Sequence, residues 1–166
     1  MFNIARFKDI EKREYECEVV TPLFLGGADP QKAELRVPPI KAAMRFWWRA
    51  LYGEDNISQM LKKESEIFGS TDQKSSVKIQ FTSTELGLSQ DKLDRGNFNI
   101  YEYLAYGYRN GNNIRGHFIS GHFSIQIYSK ANYLDQVLNS FAFLVLYGGL
   151  GAKSRNGFGS LHCAAI

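Results

Sequence analysis

The sequence predicts an α+β fold, a four-stranded antiparallel sheet with helices packed on one face. Three observations carry the prediction. Residues 13–20 and 117–128 alternate polar and apolar side chains with the period of two that marks a half-buried strand, and residues 76–83 read as a third strand. Helical runs lie between them, at residues 39–52, 56–67 and 132–147. A short strand near residues 160–165 closes the chain. The order β-α(α)-β-β-α-β is that of a ferredoxin-like (RRM-like) split β-α-β unit carrying one extra helix.

Each element has a local reason. Thr21-Pro22 ends the first strand, and residues 23–35 form a loop holding Gly26-Gly27-Ala28-Asp29-Pro30. Pro38-Pro39 opens the first helix, because proline is tolerated in a first turn. The second helix ends at Gly69. Residues 84–116, rich in Gly, Asn and Asp and crowded with Tyr101, Tyr103, Tyr106 and Tyr108, read as a long insertion before the third strand. The run at 132–147 is apolar nearly all round, which predicts a buried helix.

The 166 residues suit a single domain, 1–166, able to bury a core, and 44% hydrophobic with 22% charged residues exclude a disordered chain. A net charge of +3 is mild, so any nucleic-acid site must come from clustering. Cys17 and Cys163 lack the spacing of a zinc site. No apolar leader follows Met1, and no run of 18 apolar residues occurs, so a cytoplasmic protein with reduced thiols is expected. The terminal Cys163-Ala164-Ala165-Ile166 matches a prenylation box superficially but reads better as the end of a strand.

Chemistry concentrates in Gly149-Leu150-Gly151-Ala152-Lys153-Ser154-Arg155-Asn156-Gly157-Phe158-Gly159. Gly149, Gly151, Gly157 and Gly159 permit positive φ and close backbone approach. Lys153, Ser154, Arg155 and Asn156 between them suit a phosphate-rich ligand, which points to RNA. A nucleotide-triphosphate loop is excluded: Ala152 precedes Lys153-Ser154, Tyr147 stands at the first glycine position, and the helix comes before the loop. The plainer reading is a helix C-cap and a turn into the last strand.

The first helix is the second candidate. At about 100° per residue, Ile40, Met44, Trp47 and Leu51 form a core stripe, while Lys41, Arg45 and Arg49 form a basic ridge. Trp48 and Tyr52 fall at the border, which makes Trp48 a rim or partner-facing residue and joins it to the RNA-contacting set. The plainer reading of the ridge is a solvated cationic face. His117, His122 and Asp29 are the only candidates for a metal-independent ribonuclease, and each also reads as an ordinary structural residue. No metal set, cofactor motif or catalytic constellation is present in the sequence. A third alternative is a protein–protein scaffold that docks a neighbour through Trp48 and the tyrosine-rich insertion.

The glycine pattern resembles the glycine-rich signature of the RAMP superfamily of CRISPR proteins. Thr21 to Ala28, Ile40 to Leu51 and Ile67-Phe68-Gly69-Ser70 are similar to further pieces of it. Together, over residues 15–161, they most resemble the N-terminal module of the first-numbered subunit of the Cmr (type III-B) effector complex. The resemblance implies a non-catalytic RNA-binding subunit in antiviral defence. It implies CRISPR guide RNA, complementary target RNA and other Cmr/RAMP subunits as partners. Lys41, Arg45, Arg49, Lys153 and Arg155 are the positions it carries over as RNA contacts. Subunits of the resembled kind usually carry two RAMP modules in tandem, which leaves a second module here fused, separate or absent, with a homodimer as an alternative way to complete the RNA groove.

Overall fold

The computed structural model describes residues 9–29, 31–90, 100–110 and 113–166. Strand β1 (Ile10–Val19) leads through an irregular loop to helices α1 (Val37–Tyr52) and α2 (Ile57–Phe68). Then come β2 (Lys78–Ser89), the short helix α3 (Ile100–Leu104), and the hairpin β3 (Arg109–Asn110) and β4 (Asn113–Ile114). Strand β5 (His117–Lys130), helix α4 (Leu134–Tyr147) and strand β6 (Leu161–Ala165) complete the fold. The main sheet has the order β2-β5-β1-β6, antiparallel throughout, as expected for a ferredoxin-like unit.

The alternation read from the sequence becomes the two faces of this sheet. Cys17 and Val19 of β1 and Phe123, Ile125 and Ile127 of β5 point into one core. Ile40, Met44 and Trp48 of α1, Ile67 and Phe68 of α2, and Val137, Phe141 and Leu144 of α4 cover them. Neighbouring residues face away. Glu14, Glu16 and Glu18 pair in register with Gln126, Ser124 and His122, and Glu85 of β2 lies beside His122. This open face is therefore polar and rich in carboxylates.

Two expectations change. Strand β2 does not stop at residue 83 but runs to Ser89, so the first part of the expected 84–116 insertion is sheet. The extension is an edge strand whose side chains are largely exposed, which erased the sequence pattern; its pairing with β5, re-phased by two irregularities, supplies the order. The remainder of that segment contributes α3 and the β3–β4 hairpin, while residues 91–99 and 111–112 lie outside the described residues. Cys17 and Cys163, expected as reduced thiols, are joined as a cross-strand disulfide. Their separation of 146 residues conceals a pairing that only the β1–β6 register creates.

Candidate nucleic-acid interface

Helix α1 carries three faces, and each does different work. Its buried face is Ile40, Met44 and Trp48. On one flank stands the predicted basic ridge, which turns toward α2. Lys41 donates to Ser75 Oγ at 2.6 Å and to the Val77 carbonyl at 3.3 Å. Burial, and then the nearby Arg45 charge, hold its ammonium below the usual lysine range. Arg45 donates to the Phe68 carbonyl at 2.9 Å and to that of Gly69, satisfying orphan carbonyls at the end of α2. Arg49 forks onto Glu64, whose side chain is only 4% exposed, with Nη2 to Oε1 at 2.8 Å. That hydrogen bond raises the Arg49 pKa further. The ridge thus fastens α1 to α2.

The tryptophans exchange the places predicted for them. Trp48, expected at the rim, is 1% exposed, packs edge-on to Phe68 and donates its indole N–H to Gln136 Oε1 at 2.9 Å. Phe68 of α2 and Gln136 of α4 both close on the Trp48 side of α1, which makes that side the core stripe. Trp47, expected in the core, is half-buried on the opposite flank.

On that flank α1 faces the end of α4 and the glycine loop across a groove of about 560 Å³. Phe46, Trp47 and Tyr147 supply its aromatic walls, and Ser154 and Arg155 its polar edge. Phe46 stands edge-to-face with Trp47 at 5.4 Å, and Tyr147 lies 6.5 Å from Trp47. The Arg155 guanidinium sits 5.8 Å from the Phe46 ring centroid, a cation–π distance. No lining residue is acidic. Phe46 and Tyr147 were not singled out from the sequence. The signal was available: in the run Phe46-Trp47-Trp48 successive side chains point about 100° apart, so three large rings cannot share one core face.

Backbone geometry explains the glycines of the loop. Gly151, Gly157 and Gly159 have positive φ. A Cβ on Gly151 would lie 2.4 Å from the Phe24 carbonyl oxygen, and one on Gly159 only 1.9 Å from that of Leu150. The Ala152 amide donates to the Phe24 carbonyl at 2.8 Å and the Gly159 amide to Pro22 at 2.9 Å, so the loop is laced to the segment after β1. Lys153 has φ 58°, donates to the Tyr106 carbonyl at 2.6 Å and lies 5.3 Å from the Tyr108 ring centroid. Phe24, Phe158 and Ala105 form a second small core beneath it, with Tyr101 and Tyr108 packed alongside. Lys153 therefore ties the loop to the insertion, whereas Arg155 and Asn156 stand exposed and Ser154 lines the groove.

Of the three ribonuclease candidates, His117 and Asp29 take structural places and His122 is exposed. His117 is buried, with Nδ1 3.0 Å from the Arg115 carbonyl and its ring against Phe24. Asp29 accepts from the Gln31 amide at 2.9 Å, the hydrogen bond that chiefly holds its carboxyl below the usual range. His122 lies on the open sheet face beside Glu18 and Glu85. Among the described residues no group of His, Cys, Asp and Glu is arranged to hold a metal ion, and no helix is long and apolar enough to cross a membrane.

Comparison with known proteins agrees with this architecture. The chain is 30% identical over 158 residues to the CRISPR system Cmr subunit Cmr1-1 of Pyrococcus furiosus, covering 89% of this chain and 46% of that one. A second subunit of that organism, Cmr1-2, is 41% identical over 69 residues, 40% of this chain and 37% of its own length. The crystal structure of Cmr1 from Pyrococcus furiosus in its apo form superposes with a TM-score of 0.70 at 26% identity, over 94% of this chain and 50% of that one. The chain thus spans less than half the length of the two curated subunits. The family model for the RAMP superfamily matches residues 16–162, nearly the whole described fold with its glycine loop, and the chain belongs to that superfamily.

Proposed function

We propose that this chain is an RNA-binding, non-catalytic component of a type III-B CRISPR (Cmr) effector, working beside other Cmr/RAMP subunits on guide RNA, complementary target RNA or both. One observation carries the reading. The groove between α1 and the glycine loop combines exposed aromatic rings with Arg155 and has no acidic lining residue. A positive, aromatic-lined groove is what single-stranded nucleic acid binds. The sheet face that RRM modules use for stacking presents Glu14, Glu16, Glu18 and Glu85 here, with Lys12 and Lys78 toward one end, and this carboxylate charge disfavours RNA relative to the groove. The Cmr relationship of its relatives supports the same assignment.

Within this reading Arg155, Ser154 and Asn156 contact the strand, and Lys153 holds the loop in shape while adding positive charge. Lys41, Arg45, Trp48 and Arg49 act behind them by positioning α1, whose groove-facing flank the RNA meets. The test is single-stranded RNA binding over a salt series in EDTA. Affinity should fall with salt, log against log, with Arg155→Ala lowering the slope by about 1 and weakening unrelated sequences alike. No cleavage should accompany binding. Undiminished affinity in Arg155→Ala removes this site, and products ending in cyclic phosphate remove the non-catalytic assignment.

A further inference from the structure

Building on the RNA reading, we infer that the groove is a receptacle for one nucleobase turned out of the strand, held against Phe46 and Tyr147 with Trp47 at its back. Phe46 is 52% and Tyr147 69% exposed, although each is a large apolar ring beside others it could bury against. They come from different elements and flank the half-buried Trp47 at 5.4 and 6.5 Å, so both present ring surface to one space. That space, about 560 Å³, falls in the range of small-molecule pockets and exceeds what a phosphate alone requires.

The rest of the groove fits the remainder of a nucleotide. Its floor is glycine backbone, and at Gly148 a side chain is excluded twice: a Cβ there would lie 2.6 Å from the Leu144 carbonyl oxygen at the end of α4 and 2.7 Å from the Trp47 indole nitrogen. Arg155, over Phe46 at the mouth, is placed for the phosphate of the same nucleotide. Arg155 is the one charged lining residue and no carboxylate is among them, which favours an anionic ligand over a basic one, and the stacking rings favour a nucleotide over an acidic peptide. Ring stacking tolerates every base, because each has a π-face. Such a site grips a strand whose sequence is read elsewhere by base pairing.

The experiment compares a short oligouridylate with a ribose-phosphate strand of equal length lacking bases, on the full chain, with Phe46→Ala and Tyr147→Ala beside the wild type. Both residues are exposed, so the variants should keep the wild-type melting curve. We expect the wild type to bind the oligouridylate about tenfold more tightly than the abasic strand. Either variant should lose most of that preference; Tyr147→Ala should bind the abasic strand as the wild type does, whereas Phe46→Ala also removes the ring under Arg155 and should bind that strand somewhat more weakly. Variants that bind the oligouridylate like the wild type overturn the base site. If Arg155→Ala still weakens that binding, the RNA reading survives and the aromatic groove is a protein-docking surface. If the wild type binds neither strand, the RNA reading and the base site fall together.

Discussion

The Arg49 guanidinium forks onto the carboxylate of Glu64, one partner half in water and the other only 4% exposed. This asymmetry makes the pair a clasp between α1 and α2 with unequal halves. Arg49→Ala strands a buried carboxylate with Arg45 at 3.6 Å as its remaining ion-pair partner, and should destabilise by about 2 kcal/mol. Glu64→Gln leaves an exposed guanidinium that water can solvate and an amide oxygen that still accepts from it, so it should cost less. Urea unfolding of the two variants measures the difference. Equal losses contradict the clasp.

The only two tryptophans of the chain report two environments. In Trp47→Phe the remaining Trp48 is buried and should emit blue and resist an aqueous quencher. In Trp48→Phe the remaining Trp47 should emit further to the red, and RNA in the groove should change its intensity. An RNA response confined to Trp48 would move the binding site away from the groove. Trp48→Ala should cost about 3–5 kcal/mol through the cavity it leaves.

Gly157 and Gly159 share a positive φ but not its surroundings. A side chain on Gly157 meets open space, so Gly157→Ala should cost about 1 kcal/mol from backbone conformation alone. Gly159→Ala drives a Cβ into the Leu150 carbonyl oxygen and must shift the loop, with a larger loss of stability and of RNA affinity. Thermal melting and RNA titration of both variants test the ranking.

Lys41 has a folded pKa below its unfolded value, burial being the main cause. Between the folded pKa and about 10.4 the unfolded chain holds the extra proton, so the contribution of this residue to stability rises with pH across that window. Urea midpoints of wild type and Lys41→Met, followed into alkaline solution, should diverge with the wild type gaining. A constant difference through the window contradicts the burial argument.

The order of elements was legible because it depends on local periodicity: Cys17 and Val19, or Phe123, Ile125 and Ile127, announce one buried sheet face wherever the strand is placed. The glycine loop was legible for a similar reason, since the positive φ at Gly151, Gly157 and Gly159 is a property of single residues. The direction each flank of α1 faces was not. A helical wheel gives the angles between Lys41, Phe46, Trp47 and Trp48 but says nothing of where α2 and α4 will stand. The predicted basic ridge therefore proved to be hydrogen-bonded to α2 and its flanking segments, while the groove opened on the side thought to be core.

By itself, then, the sequence determined an antiparallel α+β sheet with helices on one face and a loop that only glycine can build. The tertiary structure decided that Trp48 is core and Trp47 groove, that Cys17 meets Cys163, and that Arg155 lies over Phe46 at the groove mouth. The physical reason is range. Backbone preference and side-chain periodicity act within a few residues, whereas burial and charge pairing depend on which distant element arrives, and that is settled only when the whole core packs.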